Sequence, residues 1–249
     1  VIGIREGYKT FGTMHILNTQ KGVYYIADTL INRHPDEDVL TDIAKLSAGT
    51  VKFFNDEPVM AMLSYSNFGT DTAGSPVKVK NAVAEMQKEF PELAIDGEMQ
   101  VNYALNKQLR DEKYPFSRLK GKDVNTLVFP NLSSANGAYK LLQALNPEAE
   151  IIGPIQMGLN KPIHFTDSES SVQDIVNITA VAVIDAYVEK IKTTSKTSAS
   201  SIPGIGNWRD YIYNKVCHFG GAPYFFCGGT LMSDKLTLII HLFQEMYQN

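Results

Sequence analysis

Ser171 and Asp174 stand three residues apart at the head of a long apolar run, 171-SVQDIVNITAVAVIDAYV-188. A hydroxyl and a carboxylate at this spacing form a capping box, with Asp in the place more often taken by Glu. A helix N-terminus that faces a loop can also hold an anion such as phosphate, because its backbone N–H groups and dipole favour negative charge. The loop leading into it, 161-KPIHFTDSES-170, brings Lys161 but also Asp167 and Glu169, where an anion site calls for Arg or Lys.

A second candidate is 64-SYSNFG-69, which follows an apolar run and precedes a helical pattern. Its small hydroxyl residues and Gly69 would let backbone N–H groups approach an anionic ligand. It is not a P-loop, since the Gly-Lys-Ser/Thr ending is missing, and an ordinary strand-to-helix turn is the plainer explanation. A third is 130-PNLSSAN-136. Here Ser133 or Ser134 would cap a helix, and Asn131 would either donate to a ligand or close the turn. Two such loops at equivalent ends of neighbouring strands would build one ligand site.

In 96-DGEMQ-100, Asp96 and Glu98 alternate along an extended run, so both could face one side of a sheet edge. A carboxylate pair there could do acid–base work or bind a metal; a solvated strand end is the commoner origin of such a pair. His34 is expected in an exposed loop, and His164 as a structural imidazole bonded to backbone. His15 lies in a strand and could face either way. Cys217, His218, Cys227 and His241 match no standard zinc spacing, and no metal is expected. The run 225-FFCGGTLMSD-234 looks like a serine-protease strand. No Gly-Asp-Ser-Gly motif follows it, so it is read as coincidence.

The elements that must carry these residues follow from periodicity. The runs 13-TMHILN-18 and 23-VYYIAD-28 predict a hairpin. Val39, Leu40, Ile43, Leu46 and Val51 recur at helical spacing over 36–54. Strand and helix then alternate. Strands are expected at 58–66, 93–99, 124–130 and 150–155, and helices at 76–89, 100–112, 134–145 and 171–191. The last helix is expected to bury Val172, Ile175, Val176, Thr179, Val183 and Tyr187. This is an α/β chain with a mostly parallel sheet flanked by helices. Ligands in such sheets sit at the carboxyl ends of the strands, which directs attention to the loops after residues 63, 129 and 163. The domain plan is 1–191 as the α/β portion, 192–206 as a Ser/Thr-rich linker, and 207–249 as an aromatic-rich tail of unassigned role.

The bulk properties exclude several classes. At 249 residues, 44% apolar and 20% charged, the chain is long enough for one large domain or two small ones. A net charge of −4 gives no general pull toward nucleic acid. No apolar run is long enough to span a bilayer, and no signal peptide opens the chain. Both cysteines lie after residue 216, which fits a cytoplasmic location. The start at Val1 fits a processed product or a piece of something longer.

Taken in order, 27-ADTLIN-32, 60-MAMLSYSNFG-69, 96-DGEMQ-100, 115-PFSRLKGKDVNTLVFPNLSSANGAYKLLQ-143, 153-GPIQMGLNKPIH-164 and 171-SVQDIVN-177 resemble the C-terminal half of the phosphate acetyl/butyryltransferase family. The likeness is greatest to the phosphotransacetylase-like domain that ends bacterial NADP-dependent malic enzymes, and it covers about residues 5–188. It implies a two-lobed α/β fold similar to isocitrate dehydrogenase. It also implies a homodimer or other homo-oligomer, and coenzyme A or acetyl-CoA bound between lobes. Members exchange acetyl between coenzyme A and phosphate by way of acetyl phosphate. In malic enzymes the domain resembles an acetyl-CoA sensor joined to the malic enzyme domain.

Under this resemblance Asp174 corresponds to the base for the coenzyme A thiol. Ser64, Ser66, Asn67, Gly69, Asn131, Lys161 and Ser171 become ligand-binding residues. The family's Ser-Arg pair ahead of that base is replaced by Asp167-Ser168, and the family's N-terminal stretch, with its phosphate-contacting arginines, has no counterpart. Losing an arginine forfeits charge-assisted bonds worth roughly 1.5–3 kcal/mol. A carboxylate in place of a cation at ~5 Å from phosphate costs about 3 kcal/mol at an effective dielectric of about 20. Together these predict transfer slowed by about a thousandfold or more. The expectation is an acetyl-CoA-binding regulatory or dimerisation module with weakened transfer. The rivals are an active phosphate acyltransferase and a chain that keeps only its fold.

Overall fold

The computed structural model describes residues 2–146, 149–166, 168 and 170–195. Asp167 and Glu169 lie outside the described residues, as does everything from 196 on. That includes both cysteines, His218, His241, the run 225–234 and most of the expected linker. The chain divides into two compact units, Val1–Ala182 and Val183–Asn249. The described part of the second is helical, 183–195, so helix enters the first four residues of the expected linker.

The first unit is built on a six-stranded sheet. Strands β1 (Gly12–Thr19) and β2 (Gly22–Ala27) form the hairpin, with Thr19 opposite Gly22. Helix α1 (Glu37–Phe53) follows, then β3 (Val59–Leu63), α2 (Ser75–Glu89) and β4 (Ala94–Met99). Two short helices, α3 (Val101–Leu105) and α4 (Lys107–Lys113), precede β5 (Thr126–Val128). The order closes with α5 (Leu132–Leu145), β6 (Glu150–Met157) and α6 (Val172–Ser195).

The strand order is β4-β3-β5-β2-β1-β6. The β4–β3, β3–β5 and β5–β2 pairs are parallel, and β1 runs antiparallel to both β2 and β6. The sheet is therefore mostly parallel, with β1 alone reversed.

Alternation along the strands divides the core. Met60, Met62, Tyr25 and Ala27 pack with Leu40, Ile43, Val79, Val83 and Met86 of α1 and α2. Ala61, Leu63 and Leu127 instead meet Ala104, Leu119 and Val124, while Leu17 and Ile26 meet Tyr139 of α5. Side chains at i and i+1 of a strand leave opposite faces, so each inner strand serves two layers.

Four expectations need correction. The single helix over 100–112 is two helices, because Asn106 adopts an extended conformation and its side chain accepts from Leu109 N. The fully buried Arg110 reinforces the break by donating to Ala104 O at 3.0 Å, taking a carbonyl at the end of α3. The cap of α5 is Asn131, not Ser133 or Ser134; its Oδ1 accepts from Ser134 N at 3.0 Å. Strand β6, expected at 150–155, runs two residues further, to Met157, and stops at Gly158 with φ 85°. Finally, α6 buries Asn177, Ile178 and Val181, while Val172 is 80% and Ile175 48% exposed. This helix is apolar on almost every side, so no polar stripe in the sequence fixes its orientation.

Candidate ligand site

The loop after β3 is held by the end of β4. Ser64 N donates to Met99 O at 2.9 Å and Phe68 N to Glu98 O at 2.8 Å. Gly69 N donates to Glu98 Oε1 at 2.5 Å, and Ser66 Oγ to the same oxygen at 3.3 Å. Gln100 and Asn67 bond twice, through Gln100 N to Asn67 Oδ1 and Asn67 Nδ2 to Gln100 Oε1. Gln100 Nε2 also reaches Tyr65 O at 2.7 Å. The loop turns through Phe68 at φ 48° and Gly69 at φ 84°, the left-handed region where glycine is free of strain.

Four N–H groups of the expected cradle are therefore taken within the protein: Glu98 receives those of Phe68 and Gly69, Met99 O that of Ser64 and Thr70 Oγ1 that of Asn67. Side chains of the loop are also placed for a ligand. Ser64 Oγ is buried with no hydrogen-bond partner among the described residues. The Tyr65 ring is 62% exposed, and its hydroxyl donates to Asp71 Oδ2 at 2.8 Å. That bond holds the Tyr65 hydroxyl above its ordinary range and the Asp71 carboxyl below it. The Lys80 ammonium lies 4.0 Å from where a Cβ on Gly69 would sit. Phe68 packs edge-on against Phe116, which is 68% exposed, and Tyr114 lies beside both.

The carboxylate pair of β4 is not solvated, which overturns that expectation. Asp96 is 7% and Glu98 1% exposed. Asp96 Oδ2 accepts from Ser117 Oγ and Arg118 N, both at 2.7 Å, so it anchors the loop before β5 rather than facing Glu98's partners. Gly97 between them, at φ 146°, passes so close to Met62 that any Cβ would collide with the Met62 carbonyl. Sequence reasoning singled out this pair but missed Glu98 and Gln100 as the loop's partners. The signal was a carboxylate and an amide flanking Met99 at the end of a buried strand.

Asn131 lies at the end of β5, directly beside β3. It thus sits at the same, carboxyl end of the sheet as Ser64, Ser66, Asn67 and Gly69. Nearby, Asn136 Nδ2 donates to Thr29 O at 3.2 Å. His15 is buried, with Nδ1 2.8 Å from Thr29 Oγ1 and its ring stacked on Tyr139 at 4.2 Å. His34 is exposed. His164 Nδ1 accepts from Gln156 N at 3.1 Å, the backbone bond expected of it. Lys161 is an exposed lysine.

Ser171 and Asp174 stand elsewhere. Asp174 Oδ2 accepts from Ser171 N at 2.9 Å and from Ser171 Oγ at 2.7 Å, while Asp174 N donates back to Ser171 Oγ at 3.2 Å. This is a reciprocal capping box. It borders a cleft of about 270 Å³ whose wall includes Glu150, Gln143, Gln173 and Asn177, and among the described residues no Lys or Arg lines it. Glu150 pairs with Asn18 at the amino end of β6. Asn18 in turn pairs with Val23 at the amino end of β2. Ser171 and Asp174 thus lie by the amino end of β6. Of the loops after residues 63, 129 and 163, the first two lie side by side at the carboxyl end of the sheet. The capping box lies at the opposite end of the sheet from Gly69 and Asn131.

Among the described residues, no group of three or more His, Cys, Asp or Glu could hold a metal ion. No described helix is long and apolar enough to cross a membrane.

The chain is similar to known proteins in both sequence and fold. The phosphate acetyl/butaryl transferase family model matches residues 1–183. The chain belongs to that family. It is 40% identical over 191 residues to an NADP-dependent malic enzyme of Escherichia coli, covering 77% of this chain and 25% of that protein. It is 42% identical over 168 residues to a phosphate acetyltransferase of Clostridium acetobutylicum, covering 67% of this chain and 50% of that one. A phosphotransacetylase from Streptococcus pyogenes superposes with a TM-score of 0.68 at 35% identity, over 75% of this chain and 56% of that one. The chain is thus a phosphate acetyltransferase-like domain, and it spans a quarter to about half of the length of these relatives.

Proposed function

We propose that the chain is an acyl-CoA-binding module of a malic enzyme polypeptide, regulatory or dimer-forming in role, with acetyl transfer weakened or lost. Acetyl-CoA is the ligand, and a second copy of the chain and a malic enzyme domain are the partners. The ligand contacts fall to the carboxyl-end loops: Ser64 and the Tyr65 ring after β3, Asn131 after β5, and Lys80 for phosphate charge. Ser66, Asn67 and Gly69 shape the loop.

The observation that carries the weakened transfer is the charge around Asp174. A base for the coenzyme A thiol has to work beside phosphate groups, which bind where cations and paired donors meet them. Among the described residues that line the cleft at Asp174, Glu150 is a second carboxylate and none is a Lys or Arg. Asp167-Ser168, just upstream, continue the same bias in sequence. Each carboxylate at ~5 Å from a phosphate opposes binding by about 3 kcal/mol at an effective dielectric of about 20.

A phosphate acyltransferase using Asp174 as base is the second reading, supported by the 42% identity to a protein named phosphate acetyltransferase. Formation of acetyl-CoA from acetyl phosphate and coenzyme A separates the two. The first reading expects the full chain to turn over at least about a thousandfold more slowly than a competent acetyltransferase, and strong turnover would favour the second.

A further inference from the structure

Glu98 is almost wholly buried, at 1% exposed, yet only one of its oxygens is satisfied. Oε1 accepts from Gly69 N and Ser66 Oγ. Oε2 has no hydrogen-bond partner among the described residues. A buried carboxylate with an unanswered oxygen is a costly way to fill a core position, and an apolar side chain would avoid that cost. Unsatisfied buried groups in native proteins call for a reason beyond packing. The reason here is visible in where Oε1 points. It holds the loop's left-handed corner, where Phe68 has φ 48° and Gly69 φ 84°. Ser64 Oγ, also buried and without a partner among the described residues, lies on the same loop.

We infer that Glu98 is a positioning residue for acyl-CoA binding: through Gly69 and Ser66 it fixes the loop that presents Ser64 and Tyr65 to the ligand. This rests on the acyl-CoA reading above. Glu98 touches no ligand itself. It stops the loop from relaxing to a turn in which the Gly69 N–H faces water. Without it the bound geometry is one of several, and affinity falls by the fraction of time the loop spends in it.

The test uses the full chain and three variants: Glu98→Leu, Glu98→Gln, which keeps a carbonyl acceptor for Gly69, and Arg110→Met. Arg110 is equally buried, but its guanidinium bonds to Ala104 O, Leu119 O and Lys122 O and to no residue of 64–69. Two quantities are read, amide hydrogen exchange at Phe68 and Gly69, and acetyl-CoA affinity by calorimetry. The inference expects Glu98→Leu to speed exchange at these two amides and weaken acetyl-CoA at least tenfold, with Glu98→Gln recovering most of the affinity. Arg110→Met should lower thermal stability and leave affinity within about twofold for the folded fraction. Faster exchange with unchanged affinity in Glu98→Leu overturns the inference, and so does an unchanged exchange rate. If Glu98→Leu does not fold, Glu98→Asp, which keeps the carboxylate but is one methylene too short to reach Gly69 N and Ser66 Oγ, takes its place: faster exchange with weakened affinity supports the inference, and unchanged affinity overturns it. Failure of the underlying reading shows up separately, as absence of acetyl-CoA binding by the unaltered chain, and the inference falls with it.

Discussion

Ser171 and Asp174 complete each other: Ser171 gives two hydrogen bonds to the Asp174 carboxylate, at 2.9 and 2.7 Å, and its hydroxyl accepts one from Asp174 N. The pair that looks most like a catalytic dyad in the sequence is first of all the cap of α6. Ser171→Ala is expected to cost ~1 kcal/mol of stability, read as a lower urea midpoint. The Asp174→Asn variant keeps an acceptor and should lose less. A change of more than about 3 kcal/mol for Ser171→Ala would mean that the residue does more than cap.

The Asp28 carboxylate is the hub of the hairpin's end. Thr13 N and Oγ1 donate to its Oδ1, and Asn32 N and Nδ2 to its Oδ2, all between 2.6 and 2.9 Å. Asp28→Ala strands these donors in a site only 3% exposed. The expected loss is about 3–5 kcal/mol, measured by chemical denaturation. A loss under about 1 kcal/mol would contradict the network's importance.

Tyr25 gives a pH signature. Burial, then the charge of Asp56 and a hydrogen bond to it, raise the Tyr25 hydroxyl well above its ordinary value of 10.0. The folded chain therefore holds this proton where the unfolded chain releases it. The stabilisation is complete below pH 10 and is lost as pH rises from there through the folded value. Urea midpoints between about pH 9 and about pH 11 should fall, and the Tyr25→Phe variant should flatten that fall. Parallel curves for the two proteins would count against it.

The segment 166–170 gives the prediction closest to the chemistry. If the missing cation limits transfer, Asp167→Ser with Ser168→Arg should raise acetyl-CoA formation from acetyl phosphate by at least about tenfold, by removing one opposing charge and adding a paired donor. Unchanged turnover would show that the cleft charge at Glu150, or the part of the relatives that this chain does not span, sets the rate.

Much of the fold could be read from periodicity. Helices α1 and α2 emerge because each has one polar face and one apolar face, and the strands because they are short apolar runs between turn residues. The helix at 100–112 could not be read whole. Its break depends on Asn106 capping α4 and Arg110 reaching Ala104 O, which are long side-chain contacts that no residue period reports. The burial of α6 was misread because the helix is apolar around most of its circumference. The site was legible in part. The loops holding Ser64 and Asn131 do lie together, since β3 and β5 are hydrogen-bonded neighbours. The position of Asp174 was not legible. It depends on where α6 begins relative to the sheet, beside Glu150, and no repeating pattern in 158–170 predicts that. Nor was the burial of Asp96 and Glu98, because a carboxylate after a strand is usually solvated and only its tertiary partners reveal otherwise.

The most direct test of the account is calorimetric titration of the full chain with acetyl-CoA, with turnover of acetyl phosphate followed on the same preparation. The account predicts saturable binding, added stability of about 2.7 kcal/mol at a hundred times Kd, and turnover near background. No binding at about millimolar ligand, or turnover comparable to a competent acetyltransferase, would contradict it.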